Sequence, residues 1–378
     1  MALGASGKFP VRPGVPPDVT GADHETDVAV IGAGQAGLSA AYFLRRAGLD
    51  FAVLDHGKRA GGAWQYRWPS LVLGKVHGLH DLPGMALGTP DTTRPASEVV
   101  SEYFGRFERA YDLPVRRPVD VLAVRPASGD RLLVESAAET WSVRAVLNAT
   151  GTWDRPFWPR YPGQESFEGR QLHTADYTGA ADFRDKRVVV VGGGTSAIQQ
   201  LIEIAAVARD TTWVTRRPPV FREEPFTEDW GRAAVAKVDA AVRAGQPPAS
   251  VVSVTDLART PEVVEAERAG ILDRLPMFDR ITRTGVHWPD GTERPADVIL
   301  WATGFRAALD HLAPLHLREP GGGIRMDGTR VVAEPRLHLL GYGPSASTIG
   351  ANRAGRSAVQ EIRRLLAPAR SRTAARMP

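Results

Sequence analysis

Two short segments carry side chains suited to gripping nucleotides, and they differ in charge. Asp55 closes the run FAVL (51–54), whereas Thr215, Arg216 and Arg217 close the run TTWV (211–214). A carboxylate accepts hydrogen bonds from the hydroxyls of a ribose. A hydroxyl beside guanidinium groups instead binds a ribose 2′-phosphate, which an acid would repel, and arginine does so through charge-assisted, often bidentate bonds. Each segment stands at the same distance from a glycine turn. Asp55 lies 18 residues beyond Gly37, and Thr215 lies 18 beyond Ala197. A spacing of about 20 separates the phosphate-binding turn from the ribose-binding residue in dinucleotide sites. The acid therefore suits a nucleotide with free ribose hydroxyls, such as FAD, and the cationic set suits NADPH.

The elements that must position these groups are legible around them. DVAVI (27–31) reads as a buried strand leading into Gly32-Ala33-Gly34-Gln35-Ala36-Gly37, which fits G-x-G-x-x-G. Gly32 allows the tight turn, Gly34 lets a pyrophosphate approach the backbone, and Gly37 lets the following helix pack on the strand. Leu38, Ala41, Phe43 and Leu44 recur at helical spacing, and Gly48 is placed to end that helix. Gln35 and Ala36 open it, where backbone N–H groups face the phosphates. The second copy starts with four valines (188–191) and continues as Gly192-Gly193-Gly194-Thr195-Ser196-Ala197, which fits G-x-G-x-x-A. Gly192, Gly194, Thr195 and Ser196 are its expected nucleotide contacts.

A second internal likeness brackets that copy. RAVLNATG (144–151) and DVILWATGF (297–305) each read as a strand followed by Ala-Thr-Gly. The pattern predicts an α/β protein with two Rossmann-like dinucleotide-binding domains, the second inserted in the first, with crossings near Thr150-Gly151 and Thr303-Gly304. The expected boundaries are 26–155 and 296–366 for the FAD-binding domain and 156–295 for the NADPH-binding domain. Residues 96–111 read as an amphipathic helix, VDVLAV, RLLVESA and TWSVRAVL as a β-meander, and 219–285 as an insert with short helices on the substrate side. GYGPSASTIGANRAGRSAV (341–359) reads as a strand, a small-residue turn and a helix start. A loose N-terminal arm (1–25) and a basic tail (367–378) complete the expectation.

Bulk properties narrow the function classes. The 378 residues are 43% hydrophobic and 24% charged, with a formal net charge of only +4. No apolar run reaches the roughly 18 residues of a membrane span. No basic-then-apolar signal pattern opens the chain, so a cytoplasmic protein that does not engage a membrane is expected. No dense basic stripe supports nucleic-acid binding. There is no cysteine, which removes disulfides, thiolate metal ligands and any CxxC redox centre. The nine histidines show no metal-binding spacing.

Two further strings complete a recognisable pattern. FEGRQLHTADY (167–177) fits F-x-G-x-x-x-H-x-x-x-Y through Phe167, Gly169, His173 and Tyr177, and GGAW (61–64) resembles a GGTW segment. From about residue 26 to 366 the chain resembles the flavin-containing monooxygenases, in the compact bacterial form close to the plant indole-pyruvate monooxygenases. Baeyer–Villiger relatives end the first string in Trp-Pro, so Tyr177-Thr178 leans toward heteroatom oxygenation. The resemblance implies hydride transfer from NADPH to FAD and capture of O2 as a C4a-(hydro)peroxyflavin. One oxygen atom would then pass to a nitrogen or sulfur, or to the carbonyl carbon of a keto acid or ketone. The cofactor carries this chemistry, which agrees with the lack of any catalytic triad.

The resemblance also assigns sites. Gly62, Trp64, Val121, Thr150, Gly151, Thr303, Gly304, Ala351 and Asn352 are expected around the flavin, and His173 at the domain junction as an architectural residue. Animal members hold the flavin–oxygen adduct with an asparagine. Gly74 aligns there, leaving Lys75 and His77 as the nearby catalytic candidates. Partners are expected to be a small-molecule substrate and O2, and family members are often homodimers. Two rival readings stay open: an NADPH-dependent ferredoxin- or quinone-type reductase, which needs no cysteine, and a nucleotide-binding sensor.

Overall fold

The computed structural model describes residues 21–76, 79–223, 228–249 and 256–367. Most of the expected arm and tail, and the candidate His77, lie outside these residues.

The first sheet is built around β1 (His24–Ile31). The chain passes through the first glycine turn into α1 (Gln35–Ala47) and returns as β2 (Phe51–Leu54), parallel to β1. α2 (Ala96–Ala110) and β3 (Val115–Arg116) follow. β4 (Val121–Ala127), β5 (Arg131–Ser136) and β6 (Thr140–Asn148) form the expected antiparallel meander, and β6 then lies parallel to β1. Alternation along β1 explains its position. Val28 and Val30 pack into the core that holds α1, while Ala29 and Ile31 pack into the core beneath the meander. A strand apolar on both faces must be central. In α2, Val100, Tyr103, Phe104 and Phe107 form its fully buried face, as their 3–4 spacing requires.

The second sheet is all parallel. It contains β7 (Arg170–His173), β8 (Arg187–Val191) and, after α3 (Thr195–Ala205), β9 (Asp210–Thr215). Arg274–Pro276 flanks β9, and Val298–Trp301 lies between β7 and β8. This last strand falls in the segment 296–366 assigned from sequence to the first domain, and the structure corrects that assignment. Val298–Trp301 is buried on both faces of the second sheet, so the chain leaves that sheet only at the second Ala-Thr-Gly. Leu337–Leu339 then joins β6 in the first sheet. Ala351 and Asn352, expected around the flavin, come just after the small-residue turn. They lie in the helix Thr348–Leu366, whose start is capped by Ser347 accepting from the Gly350 N–H at 3.1 Å; the small-residue turn comes before it.

α4 (Glu228–Arg243) leaves the second sheet and leans on the first domain. Its Val242 is fully buried in the meander-side core, and Arg243 pairs with Asp327 at 3.2 Å. Gly245, in the left-handed region at φ 70, ends this arm. No described helix is long and apolar enough to cross a membrane.

Two histidines make the fold acid-sensitive. Burial pushes both His311 and His338 from 6.5 down to about 4. His338 accepts from the Thr329 hydroxyl at 2.9 Å, and His311 donates to Asn148 Oδ1 at 2.6 Å. A depressed histidine pKa means the unfolded chain binds more protons, so stability is complete above 6.5 and is lost as pH falls toward 4. Each group accounts for at most about 3 kcal/mol across that window. Urea midpoints should fall over this range, and a His338→Gln variant should show a flatter pH profile than wild type.

Candidate functional site

The two glycine turns are built alike. Each first glycine has a positive φ (Gly32 at 96°, Gly192 at 149°) and lies under the carbonyl of an Ala-Thr-Gly segment. A Cβ on Gly32 would come within 2.6 Å of the Ala149 oxygen, and one on Gly192 within 2.2 Å of the Ala302 oxygen. Ala149 donates to Ile31, and Ala302 donates to Val191, both at 2.8 Å. The repeated Ala-Thr-Gly thus closes each turn from the neighbouring strand.

Both turns fit a phosphate. Gly34 stands at the N-cap of α1 and Gly194 at that of α3, with no side-chain cap and no acid in the first turn. Their leading N–H groups have no intrahelical acceptor, and a helix N-terminus attracts an anion. No atom lies within 4 Å of where a Gly194 Cβ would stand, and only the Gly62 Cα at 3.9 Å approaches that of Gly34. Backbone can therefore be approached closely at both.

A cleft of about 650 Å³ opens on the first turn, within the usual size of a cofactor site. Gly32, Gly34, Gln35, Ala36 and Asp55 form one end. Gly62 and Trp64, Thr150 and Gly151, and Ala351 continue the wall. The structure adds segments that sequence reasoning missed: Trp153 and Asp154, Phe305 and Arg306, and Pro247–Ala249 beyond α4. Residues 247–249 belong to the 219–285 insert. Five expected contacts do not line it. Gly37 acts by packing, since its Cβ would meet the Gly32 oxygen at 1.9 Å. Val121 is buried in the meander-side core. Thr303 donates to the Phe157 carbonyl, and Gly304 accepts from His173. Asn352 accepts from Gln35 at 3.1 Å and donates to the Asp81 carbonyl at 2.6 Å, holding the two helix starts together.

Asp55 is nearly inaccessible (3%) and firmly held. It accepts from the Ala33 N–H at 3.3 Å and from Arg117 Nε at 2.5 Å, and Arg117 forks onto Glu108 at 2.7 and 2.8 Å. A carboxylate offers about four acceptor positions, so Asp55 keeps capacity for a ribose while Arg117 fixes its direction. His56 follows and meets Asp154 across the cleft at 3.3 Å, which raises the imidazole pKa.

At the second turn Thr215 differs from its expected role. It is 2% exposed, and its hydroxyl donates to the Arg217 carbonyl at 2.8 Å. It shapes the Thr-Arg-Arg bend instead of offering a proton to a ligand. Arg216 and Arg217 are exposed and pair with no acid among the described residues. Arg274, on the strand beside β9, brings a third guanidinium to 3.3 Å from the Thr215 oxygens. Thr195 and Ser196 open α3.

The junction string is structural. His173 is fully buried at the end of β7; it accepts from the Ala175 N–H and donates Nε2–H to the Gly304 carbonyl, both at 3.1 Å. Burial lowers its pKa, so it stays neutral. A Cβ on Gly169 would strike the Phe167 ring at 2.4 Å, so the two pack as a unit. Tyr177, its pKa raised by burial and by Glu203, donates to the Glu203 carboxylate at 2.9 Å. Ser70, from the first-domain side, binds the same oxygen at 2.7 Å. Tyr177→Phe should lower unfolding free energy by about 1–2 kcal/mol, as for one bond to a charged acceptor that keeps other donors, read from denaturant curves. Lys75 is exposed and meets the second domain through its carbonyl, which accepts from Gln199 at 3.3 Å. Lys75, in the short 3₁₀ turn Leu73–Lys75, does not line the cleft, a correction to its candidacy there.

The fold and these paired turns define a flavoprotein oxidoreductase with two dinucleotide sites. The profile of the pyridine nucleotide-disulphide oxidoreductases matches residues 29–243. A flavin-containing monooxygenase from Stenotrophomonas maltophilia is 40% identical, with a TM-score of 0.78 over 91% of this chain and 100% of that one. An indole-3-pyruvate monooxygenase from Oryza sativa is 25% identical over 81% of this chain and 82% of its own length. A ferredoxin–NADP reductase from Thermus thermophilus is 33% identical over 56% of this chain and 59% of its own. The chain belongs to the flavin-containing monooxygenase family, and it is a flavin-dependent monooxygenase that uses a pyridine nucleotide.

Proposed function

We propose that the protein uses NADPH and FAD to insert one atom of O2 into a small organic substrate, at nitrogen or sulfur or beside the carbonyl of a keto acid or ketone. The observation that carries this reading is the pair of mirrored glycine turns ending in opposite charge. Asp55 receives the FAD ribose, and the uncapped start of α1 receives its pyrophosphate. The start of α3 receives the second pyrophosphate, and Arg216 with Arg217 receives the 2′-phosphate. Arg274 adds positive potential behind them. When bound, FAD supplies the hydride acceptance and the oxygen activation. The chain's residues orient it, and the aromatic wall of Trp64, Trp153 and Phe305 keeps water from the reacting edge. The Ala-Thr-Gly crossings at Thr150-Gly151 and Thr303-Gly304 bound the two domains, and the nicotinamide of a bound NADPH would meet the flavin between them.

The likeness to a ferredoxin–NADP reductase favours a second reading, NADPH-dependent reduction of an external acceptor without oxygen insertion. Both readings require that NADPH reduce the bound flavin. Anaerobic mixing should bleach the flavin within seconds, and NADH should act far more slowly. A flavin that stays oxidised would leave only a nucleotide-binding role.

A further inference from the structure

We propose that the α4 arm completes the flavin site from the side of the second sheet: its tip closes the cleft over a bound FAD and must lift before FAD can enter or leave. This rests on the reading that the cleft holds FAD. Pro247, Pro248 and Ala249 line the cleft, and so do Gly322, Tyr342 and Gly343. The wall at Gly341–Gly343 adjoins the phosphate turn, because a Cβ on Gly341 would stand 4.0 Å from the Ala36 Cβ at the start of α1.

The tip is preformed. The Gly245 N–H donates to the Val242 carbonyl at 3.1 Å, and the Gln246 N–H donates to the Ala241 carbonyl at 2.9 Å. This pair of bonds stops a helix at a left-handed glycine and fixes the direction in which the chain leaves it. The seat of the tip is glycine-rich. A Cβ on Gly323 would meet the Gln246 carbonyl carbon at 2.3 Å and the Gly245 oxygen at 2.5 Å, and one on Gly321 would meet the Gln246 side-chain nitrogen at 2.7 Å. Backbone thus lies against backbone, yet among the described residues no backbone hydrogen bond joins tip to seat. Val242, fully buried in the meander-side core, and the exposed Arg243–Asp327 pair anchor the arm. An exposed pair contributes little, and apolar contact has no preferred direction. The arm can therefore part from its seat without breaking the hydrogen bonds of either sheet, as a clasp must.

The absence of cysteine from the chain gives a direct test. A Cβ on Gly343 would stand 3.8 Å from the Val242 Cβ, the separation found in disulfides. In a Val242→Cys/Gly343→Cys protein, oxidation locks the arm down and a reductant frees it. Strain from the second substitution is present in both forms and cancels in the comparison. Bound FAD is exchanged against isotopically labelled FAD and followed by mass spectrometry. The oxidised form should keep its FAD over the time in which the reduced form exchanges fully. Val242→Ala, which loosens the anchor by two buried carbons, should exchange about tenfold faster than wild type. Equal exchange in the oxidised and reduced forms, with FAD bound in both, overturns the clasp and leaves the FAD reading standing. A wild-type protein that takes up no FAD overturns that reading and the clasp with it. If the cysteine pair fails to oxidise or to bind FAD, Val242→Ala decides alone, and exchange at the wild-type rate overturns the proposal.

Discussion

An Arg216→Gln enzyme is expected to need at least about tenfold more NADPH at half-maximal rate, with NADH kinetics nearly unchanged. Arg216 is exposed at the end of β9 without an acid partner among the described residues, so removing it breaks no internal bond. What it loses is one charge-assisted contact to the 2′-phosphate, worth about 1.5–3 kcal/mol, where 1.4 kcal/mol is a factor of ten. NADH lacks that phosphate and should not register the change. Arg217 should contribute less, because its carbonyl is tied to Thr215 and its direction is set by that bend. Thr215→Val should act only indirectly, by loosening the bend. Steady-state kinetics with both nucleotides check this. A wild-type enzyme that uses NADH as well as NADPH would show that Arg216 faces water.

Gly37→Ala should yield a protein without flavin, whereas Gly192→Ala should retain flavin but be reduced poorly by NADPH. The Gly37 Cβ would stand 1.9 Å from the Gly32 oxygen and 2.9 Å from its carbonyl carbon. Both atoms are backbone, so no side chain can move aside and α1 must shift as a whole. Its leading N–H groups then leave the phosphate position. Overpacking of this kind costs about 1–3 kcal/mol in stability, and the loss of cofactor geometry adds to it. At the second turn Ala197 occupies the equivalent place and is fully buried, so α3 already stands off by one methyl. The sensitive position there is Gly192, where an added Cβ would lie 2.2 Å from the Ala302 oxygen. Flavin content of the purified variants and anaerobic reduction rates separate the two outcomes. A Gly37→Ala protein carrying a full complement of flavin would contradict the packing account.

The features legible in the sequence were those set by short-range geometry. Gly32 and Gly192 need positive φ, the valine runs need a central strand, and the two Ala-Thr-Gly segments repeat in register with them. The opposite charges at Asp55 and at Thr215-Arg216 could be read because the same 18-residue spacing separates Asp55 and Thr215 from their turns. The misplaced features depend on long-range contacts. A buried run such as Val298–Trp301 satisfies either sheet equally, so its membership follows only from pairing with β7 and β8. Arg117 reaches Asp55 from 62 residues away, and Arg274 reaches Thr215 from 59. Neither carries a local pattern. Lys75 failed for a different reason: its type suited the chemistry, but the turn Leu73–Lys75 stands outside the cleft lining. Trp153, Phe305 and Pro247–Ala249 meet in the cleft from segments far apart in the chain, which no local pattern announces.

The central claim, oxygen insertion by a flavin enzyme without cysteine, is tested most directly with labelled gas. The flavin-loaded enzyme is given NADPH and ¹⁸O2 with a panel of amines, thioethers and keto acids, and the products are weighed by mass spectrometry. The account predicts an oxygenated product carrying a single ¹⁸O atom from the gas, formed in step with NADPH consumption. NADPH oxidation across the whole panel with every equivalent recovered as hydrogen peroxide, and no label in any product, would contradict it.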